Sequence, residues 1–386
     1  MKKNLWKLLA LSVVAAMTLC CFAGCGDDQP STQGGENTGD QVFKIGSIGP
    51  LTGPASSYGI SAKQGTEVAV AELNANGGVA GYTFELIAAD DQHDAEKAIN
   101  AYGNLMDQGM NALVGAVTSV PCIAVTEESH NDGLLQITPS ASAAQAAQYD
   151  NCFRICFTDP QQGQHMADYI YGQGITNCAV LYDVSDAYSS GIYEAFVEAY
   201  EGLGGTVAAA ESFASGDVDF KTQLTSIKNS GADGLFLPFY YTEVAYVANQ
   251  SVDVGLDLPM FGCDGWDGVI DQLNGDTTLV DGSVFLTPFF ANATDEKTTK
   301  FVAAYQEAYG SVPDQFAADS YDAVYAIAAA LEKAGSADNA ALVAAMYEIE
   351  LDGVTGVMTW DENGDATKDA ILAKIENGDI VPVNAE

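Results

Sequence analysis

Residues 43–49 read FKIGSIG, residues 62–74 read AKQGTEVAVAELN, and residues 82–88 read YTFELIA. The first and third segments are short and largely apolar, as buried strands are, whereas apolar residues in the second recur with the period of a helix. The sequence NGG at 76–78 ends that helix before the next strand. A strand, a helix and a second strand in this order predict one βαβ unit of a parallel sheet.

The alternation of strands and helices continues along the chain and then restarts. The first run continues with a helix at 95–108, a strand at 112–117, a helix at 121–131 and a strand at 134–137. The second run goes from a strand at 177–182 to one at 260–263, and it is followed by helices at 294–309, 321–335 and 339–346 and by strands at 353–360 and 370–376. We therefore predict the α/β class, with two Rossmann-like lobes that each contain a parallel sheet.

The first 24 residues have the features of an export signal. Lysines precede an apolar stretch at 8–19 that is too short to span a bilayer comfortably, and small residues stand directly before a cysteine. The sequence AGC at 23–25 has the small-small-cysteine pattern of a bacterial lipoprotein signal, in which the sulfur of Cys25 is diacylated. The alternative is an ordinary cleaved signal with an incidental cysteine.

Residues 25–41 are expected to form the lipid anchor and a flexible tether. The segment GDDQPSTQGGENTGDQ contains no aliphatic or aromatic side chain, so it cannot offset the entropy of ordering, although a terminus without function fits equally. The rest of the chain is too long for one typical core and predicts two lobes. Their predicted bounds are 42–158 with 289–356 for lobe 1, and 159–288 with 357–386 for lobe 2.

Composition argues against several classes of partner. The chain carries 14 basic and 53 acidic residues, and Arg154 is its only arginine. Nucleic-acid binding needs clustered lysine or arginine, so it is not expected. His93, His130 and His165 are isolated from one another and from any ligand-spaced cysteine pair, so we expect no metal site and no cofactor. The sequence carries no nucleophile motif or poised general base, which makes an enzyme the least favoured class.

Polar and aromatic residues follow predicted strands of both lobes at the edge where ligands bind to open parallel sheets. The polar segments, two from each lobe, are 118–119, 138–143, 239–243 and 264–267. Loops from two lobes that meet at one cleft fit a clamshell that closes over a small molecule. The aromatic residues near predicted loops or helix starts are Tyr58, Tyr188, Tyr240 and Phe316. Taken singly, each of these is explained by packing.

The segment QITPSASA at 136–143 is a turn of small polar residues. Small side chains let backbone N–H groups approach an anion, and serine hydroxyls, with Ser119 as a further donor, would help to bind a carboxylate. An N-cap at Ser142 explains the same residues. Asp264 lies in GCDGW at 262–266, where it would pair with an ammonium group or simply form a turn before glycine.

These residues resemble those of the leucine/isoleucine/valine-binding proteins of bacterial ABC importers. The resemblance begins with GSIGPLTG at 46–53 and YG at 58–59, and ELNANGGVAG at 72–81 adds to its specificity. The other matching segments, within about 42–373, are DD at 90–91, 136–143, 182–191, 239–243, 262–265 and YDA at 321–323. The resemblance implies a type I periplasmic-binding-protein fold, in which three crossings join the lobes. They are expected near 157–160, 285–288 and 355–360.

The resemblance also implies roles for single residues. Ser119 and Ser142 match the hydroxyl donors to a ligand carboxylate, and Asp264 matches the acid that pairs with the ligand ammonium group. Ser140, beside Ala141, matches the position whose backbone carbonyl accepts a hydrogen bond from that ammonium group. The matching aromatic wall around an aliphatic side chain consists of Tyr58, Tyr188, Tyr240 and Phe316. The spacings, 23 residues from Ser119 to Ser142 and 24 from Tyr240 to Asp264, agree with the family pattern.

The sequence departs from the family pattern at three places. A disulfide of some relatives would need cysteines near His93 and Thr118, and neither is present. Asp264 stands where the family often has glutamate, and its shorter side chain would shift the ligand or admit a larger one. Trp266, two residues later, is expected to reshape the pocket further.

We therefore expect an extracytoplasmic, lipid-anchored and monomeric protein that captures a small apolar amino acid for the permease of an ABC importer. Leucine, isoleucine and valine are the expected ligands. The same fold would also serve another small zwitterion or an amide, such as an aromatic amino acid or urea. The alternative from a different class is a receptor ectodomain that senses its ligand.

Overall fold

The computed structural model of the chain describes residues 41–274, 276–368 and 370–383. The predicted export signal, Cys25 and the predicted tether up to residue 40 lie outside the described residues. In the described ranges, no helix combines the length and the apolar character that crossing a membrane requires. The first described strand begins at Gln41.

The N-terminal part of the described chain forms a five-stranded sheet, which we call the first sheet. Its strands are β1 (Gln41–Gly49), β2 (Tyr82–Asp90), β3 (Ala112–Gly115), β4 (Gln136–Thr138) and β5 (Cys152–Arg154), and the intervening helices are α1 (Ser56–Ala75), α2 (Ala95–Asp107) and α3 (Ser119–Asp132). The spatial order is β2-β1-β3-β4-β5, and all neighbouring strands are parallel. Parallel neighbours need crossover connections, which α1, α2 and α3 supply between the first four strands.

The middle of the chain forms a second sheet. Its elements are α4 (Asp159–Gly172), β6 (Asn177–Asp183), α5 (Ala187–Gly202), β7 (Thr206–Phe213), α6 (Lys221–Asn229), β8 (Gly234–Leu237), α7 (Tyr241–Val254), β9 (Met260–Gly262), α8 (Val269–Gln272) and β10 (Val284–Thr287). The strands β6 to β10 are parallel and lie in the order β10-β9-β8-β6-β7. The predicted α/β class with two parallel sheets is confirmed.

The chain then returns to the first sheet before it ends on the second. The returning elements are α9 (Glu296–Tyr309), α10 (Gln315–Ala334), α11 (Asn339–Met346), β11 (Leu351–Gly353) and β12 (Gly356–Met358). Two final strands, β13 (Ile371–Glu376) and β14 (Asp379–Pro382), extend the second sheet, in which β13 is the antiparallel neighbour of β10 and β14 is the antiparallel neighbour of β13. The helices α4 and α8 and the strands β10 and β14 have no counterpart among the predicted elements.

The third crossing lies later than the sequence predicted. Residues 355–360 were expected to lead into the second lobe, but Met358, Trp360 and Ala366 are buried in the same core as Phe43 and Ile45 of β1. The Trp360 indole N–H also donates to the backbone carbonyl of Arg154 at 2.8 Å. Apolar side chains that are buried against the first sheet hold this segment there, and the first strand that rejoins the second sheet begins only at Ile371.

Two helices begin earlier than their apolar periodicity predicts, and both bring an aromatic residue to the edge of the first sheet. Helix α1 starts before Tyr58, and α10 starts at Gln315, where the side chain of Asp314 accepts a hydrogen bond from the backbone N–H of Ala317. The two helices pack closely, since a Cβ atom at Gly65 would lie 2.0 Å from the Ala317 carbonyl oxygen. Only glycine fits this approach.

A buried ion pair stabilises the third crossing. The Lys368 ammonium group donates to Asp319 Oδ1 at 2.6 Å, to Thr355 Oγ1 at 2.7 Å and to the carbonyl of Ile155 at 3.2 Å. Both charged side chains are 2% exposed. Burial raises the pKa of Asp319 to about 7 even with the lysine beside it. The stability of this buried ion pair therefore depends on the hydrogen bonds of the ammonium group as well as on the attraction between the two charges.

Lys368→Met should lower the free energy of unfolding by about 3 kcal/mol, because it leaves the buried Asp319 carboxylate without its cation. Urea denaturation followed by circular dichroism measures the change. Lys300→Met is the matched control, since it removes the exposed partner of Glu296 and should leave stability nearly unchanged. An equal loss in both variants would contradict a stabilising role for the buried pair.

Candidate functional site

Loops from the carboxyl ends of both sheets meet around a small cavity, which we call the central cavity. Its volume is about 10 Å³, which is room for no more than one water molecule. The residues that line it are Tyr58, Val117, Thr118, Ser140, Tyr188, Tyr240, Asp264, Gly265 and Phe316. Six of these residues belong to the nine that the sequence predicted for a ligand site.

Asp264 is the acidic residue of the central cavity. Its Oδ1 accepts hydrogen bonds from the Tyr188 hydroxyl at 2.7 Å and from the backbone N–H of Gly265 at 2.9 Å. Its own backbone is fixed as well, because its carbonyl accepts from Gln315 Nε2 at 2.7 Å. Burial raises the pKa of Asp264 to about 6, and these donors oppose the rise. The carboxyl group is thus held in place by donors that favour its ionised form.

Aromatic rings form the walls of the central cavity. Tyr188 and Tyr240 are stacked with ring centroids 4.8 Å apart, and Tyr58 packs on Phe316 at 4.2 Å. The Tyr58 hydroxyl donates to the carbonyl of Gly265 and accepts from the backbone N–H of Tyr241 at 3.4 Å. Tyr58 belongs to a helix of the first sheet, whereas Gly265 and Tyr241 follow strands of the second. The wall therefore also connects the two sheets.

The predicted residues Ser119, Ala141 and Ser142 are buried near the central cavity but do not line it. Ser119 Oγ accepts from the backbone N–H of Ala143 at 3.2 Å. The backbone of Ala141 donates to Thr138 Oγ1 and accepts from the Arg154 guanidinium group. Ser140, which does line the cavity, donates from its hydroxyl to the carbonyl of Val117 at 2.6 Å.

Two polar residues at the start of α4 join this network without having been predicted. The side chain of Gln162 is fully buried, accepts from the backbone N–H of Asp264 at 3.1 Å and donates to Ser142 Oγ at 3.4 Å. Among the described residues, both carboxyl oxygens of Asp159 lack a hydrogen-bond partner, and burial raises its pKa well above the usual range. The capping box between Thr158 and Gln161 marks the start of this helix and was the available sequence signal.

His93 and Thr118 are also in contact. His93 Nδ1 lies 2.8 Å from Thr118 Oγ1, and its Nε2 lies 3.5 Å from Asp186 Oδ2 on the second sheet. Burial opposes protonation of the ring, but the hydrogen bond and charge of Asp186 outweigh it and raise the pKa of His93. These polar contacts therefore join the loop that carries Thr118 to Asp186 of the second sheet through His93.

Trp266 does not reshape the central cavity, contrary to the expectation from the sequence. Its side chain is fully buried in the core of the second sheet, and the indole N–H donates to the carbonyl of Leu237 at 2.9 Å.

The five cysteines of the described residues are buried and form no disulfide. In the same part of the chain, no three His, Cys, Asp or Glu side chains are placed to hold a metal ion.

Two α/β sheets joined by three crossings, with a cavity where their loops meet, define the type I periplasmic-binding-protein class. Comparison with known proteins agrees. A family model described as a periplasmic binding protein matches residues 42–379. The chain therefore belongs to this family, in the group of the branched-chain amino acid binding proteins. The resemblance seen in the sequence is confirmed.

Similar proteins come from several bacteria. A Leu/Ile/Val-binding protein homologue of Brucella melitensis is 31% identical over 343 residues, which cover 87% of this chain and 92% of the relative. A crystal structure of a leucine-binding protein from Thermotoga maritima has a TM-score of 0.83 at 29% identity and covers 89% of this chain and 98% of that one. A branched-chain amino acid transporter substrate-binding protein of Streptococcus pneumoniae, solved with isoleucine, has a TM-score of 0.82 at 28% identity over 88% and 98%.

Several buried carboxyl groups have a raised pKa, in each case chiefly because burial disfavours the charge. The values are about 6 for Asp91 and Asp264, about 7 for Asp319 and Glu243, and about 8 for Asp267. The folded protein thus holds these protons more tightly than the unfolded chain, whose carboxyls titrate near about pH 4. The contribution of these groups to stability is complete below about pH 4. It is lost as the pH rises through their raised pKa values in the folded protein.

The protein should therefore melt at a higher temperature at about pH 5 than at about pH 8. His93 acts in the same direction, since a raised histidine pKa favours folding on the acidic side. Calorimetric scans at both pH values test this, and each loss of about 1 kcal/mol lowers the melting temperature by roughly 2 °C. Repeating the scans in high salt is the control, because salt screens the repulsion of surface charge but reaches buried groups much less. A protein more stable at the alkaline value in high salt would contradict the prediction.

Proposed function

We propose that this protein is an extracytoplasmic lipoprotein that binds a small apolar α-amino acid, with leucine, isoleucine and valine as the best ligands, and delivers it to an ABC importer. The single observation that carries the proposal is the Asp264 carboxylate, which is buried in an aromatic cavity where the two sheets meet. Relatives with this fold are named for branched-chain amino acids. The family consists of substrate-binding proteins.

In this proposal Asp264 pairs with the ligand ammonium group, assisted by the backbone carbonyl of Ser140. A buried ammonium group needs such partners, because burying it alone costs several kcal/mol. Ser119 and Ser142 donate to the ligand carboxylate. Each of these hydroxyls accepts a hydrogen bond from the protein, from Ala143 N–H and Gln162 Nε2 respectively, and these bonds fix the position of its oxygen.

The aromatic wall selects the ligand side chain. Rings of Tyr58, Tyr188, Tyr240 and Phe316 surround the central cavity, and none of the lysines or arginines that the structure describes lines it. A free amino acid with an uncharged side chain satisfies the site, whereas a second carboxylate would be buried without a partner. The central cavity is too small for any amino acid, so the sheets separate to admit one. Binding then shifts the equilibrium back toward closure, which a permease recognises.

A thermal-shift screen of the standard amino acids tests the function. Leucine, isoleucine or valine should raise the melting temperature most, whereas glutamate and the N-acetyl and methyl-ester forms of leucine should do little, because each adds an unpaired charge or removes a needed one. Charged amino acids, sugars or blocked leucines that outperform free leucine would overturn the assignment. Urea or another amide as the best ligand would favour the alternative binding function.

Asp264→Asn should weaken leucine binding by about 2–5 kcal/mol, or roughly thirtyfold to several thousandfold, because the ammonium group loses its ionic partner inside the cavity. Isothermal calorimetry measures the affinity, and circular dichroism checks the fold. Asp271→Asn is the matched control, since this exposed carboxylate lies outside the central cavity and should not affect binding. A loss of less than about threefold in the Asp264 variant would refute the pairing.

The anchor in the proposal is a lipid on the sulfur of Cys25, which would become the N-terminal residue after removal of 1–24. The sequence AGC at 23–25 supports it, together with the following segment, which has no apolar residue to hold the chain at a membrane. The tethered domain would then remain close to a membrane permease.

Cys25→Ser should release the protein from the membrane, because a serine hydroxyl cannot carry the thioether-linked lipid. Fractionation of expressing cells measures the distribution between membrane and soluble material. Cys21→Ser serves as the control, since it changes a neighbouring cysteine of the same segment and should leave the protein membrane-bound. If the Cys25 variant stays in the membrane pellet as firmly as the unchanged protein, lipidation at this residue is wrong.

A further inference from the structure

Arg154 is the only arginine of the chain, and its side chain is 1% exposed. It lies beside the loop 139–143 that follows β4, which we call the carboxylate loop because the proposed function assigns it to the ligand carboxylate. The guanidinium Nη1 donates to the carbonyls of Ala141 and Ala143 at 3.1 Å each, and Nη2 donates to the carbonyl of Ala144 at 3.3 Å. One buried side chain therefore binds three carbonyls in and next to this loop.

Some backbone groups of the carboxylate loop are bound by the protein, and others are not. The N–H groups of Ala141 and Ala143 donate to side-chain hydroxyls at 3.0 and 3.2 Å, and the carbonyls of the same two residues accept from Arg154. The N–H groups of Ser140 and Ser142 form no hydrogen bond within the described part of the chain. The residues that Arg154 helps to fix thus alternate with residues whose N–H groups remain for a ligand.

Asp365 holds the guanidinium group at its other end. Its Oδ1 lies 2.6 Å from Arg154 Nε, in an ion pair between a buried and a partly exposed side chain. The acid stands in a tight turn at 361–365, where Asp361 Oδ1 accepts from the backbone N–H of Asp365 at 3.0 Å. The turn lies on β5, because the backbone N–H of Arg154 donates to the carbonyl of Gly364 at 3.0 Å. The ion pair therefore connects the carboxylate loop to the segment before the third crossing.

Arginine offers the geometry that this position uses. Its guanidinium group is a planar fork with five N–H donors, whereas a lysine ammonium group is a compact charge with three donors on one atom. Every other residue among the 14 lysines and arginines of the chain is a lysine. The one arginine thus stands where a single side chain binds three carbonyls and a carboxylate. Its loss would leave buried acceptors without donors.

We propose that Arg154 is a positioning residue for ligand binding, which holds the carboxylate loop through its carbonyls and is itself held by Asp365. Arg154 does not line the central cavity. Its hydrogen bonds fix the loop before a ligand arrives, so the ligand carboxylate meets Ser140 and Ser142 already in place. Such preorganisation raises affinity, because the cost of ordering the loop does not fall on the binding step. The inference rests on the proposed function, in which this loop binds the ligand.

Arg154→Lys tests the proposal by calorimetric titration with leucine and by urea denaturation. Lysine keeps a positive charge opposite Asp365 but cannot bind three separate carbonyls as the fork does, so leucine affinity should fall at least about tenfold. Lys368→Met is the matched control, since it also removes a buried cation, whose hydrogen bonds go to residues outside the carboxylate loop. This variant should lose stability but keep leucine affinity within about threefold.

Backbone hydrogen exchange locates the effect. In Arg154→Lys the amides of Ala141 and Ala143 should exchange roughly tenfold faster, while those of β6 in the second sheet keep their rates. Unchanged exchange at Ala141 and Ala143 would overturn the proposal. A role of Arg154 in stability alone would make leucine affinity follow the free energy of unfolding in both the Arg154 and the Lys368 variant, and that result would overturn it as well.

Should Arg154→Lys fail to fold, Asp365→Asn provides the second variant. It retains a side chain of the same size but removes the charge that holds the guanidinium group, so leucine affinity should fall about three- to tenfold. An unchanged affinity in this variant would contradict the positioning role. If the unchanged protein binds no amino acid, the proposed function fails and this inference fails with it. If the unchanged protein binds leucine and the Arg154 variant binds it equally well, this inference alone fails.

Discussion

A carboxylate that is removed from water must be supplied with donors, and the arrangement around Asp264 follows from this requirement. Tyr188 and the backbone of Gly265 provide the donors, while Gln162 and Gln315 fix the backbone of the acid itself. Gln162 comes from α4 of the second sheet and Gln315 from α10, which packs on the first. One buried acid is therefore contacted by elements that pack on both sheets, and the aromatic wall lies next to it.

Much of the fold was predictable because strands and helices with a buried face have apolar residues at regular spacings in the sequence. The strands and helices between β1 and β4 appear in the predicted order, and most errors lie at their ends. Helix α4 was missed because its first turns carry glutamines, glycine and histidine rather than an apolar stripe. The third crossing was misplaced because the pattern of a strand does not reveal which core the strand packs on, and β11 and β12 pair with each other rather than with either large sheet. Their position is set by the core of the first sheet, in which Met358 and Trp360 are buried.

The candidate site was partly predictable for a geometric reason. The carboxyl ends of parallel strands meet at one edge, so polar residues that follow them are brought together, as Thr118, Ser140 and Asp264 are. Gln162 and Asp159 could not be found in that way, because they begin a helix and approach the site from the side. The contact between His93 and Thr118 was equally hidden, since the sequence shows only that two cysteines are absent.

The path of the chain has a consequence for the order in which the molecule is completed. The core of the first sheet contains Phe43 and also Phe301, Tyr321, Trp360 and Ala366. Its residues therefore come from two parts of the sequence that are far apart. Contacts between such distant segments form slowly, because a long loop must close before they contribute. During chain elongation, the first sheet must therefore wait for helices and a buried tryptophan that emerge after β6 to β10, and the second sheet must in turn wait for β13, which carries Ala373 and Ile375 of its core.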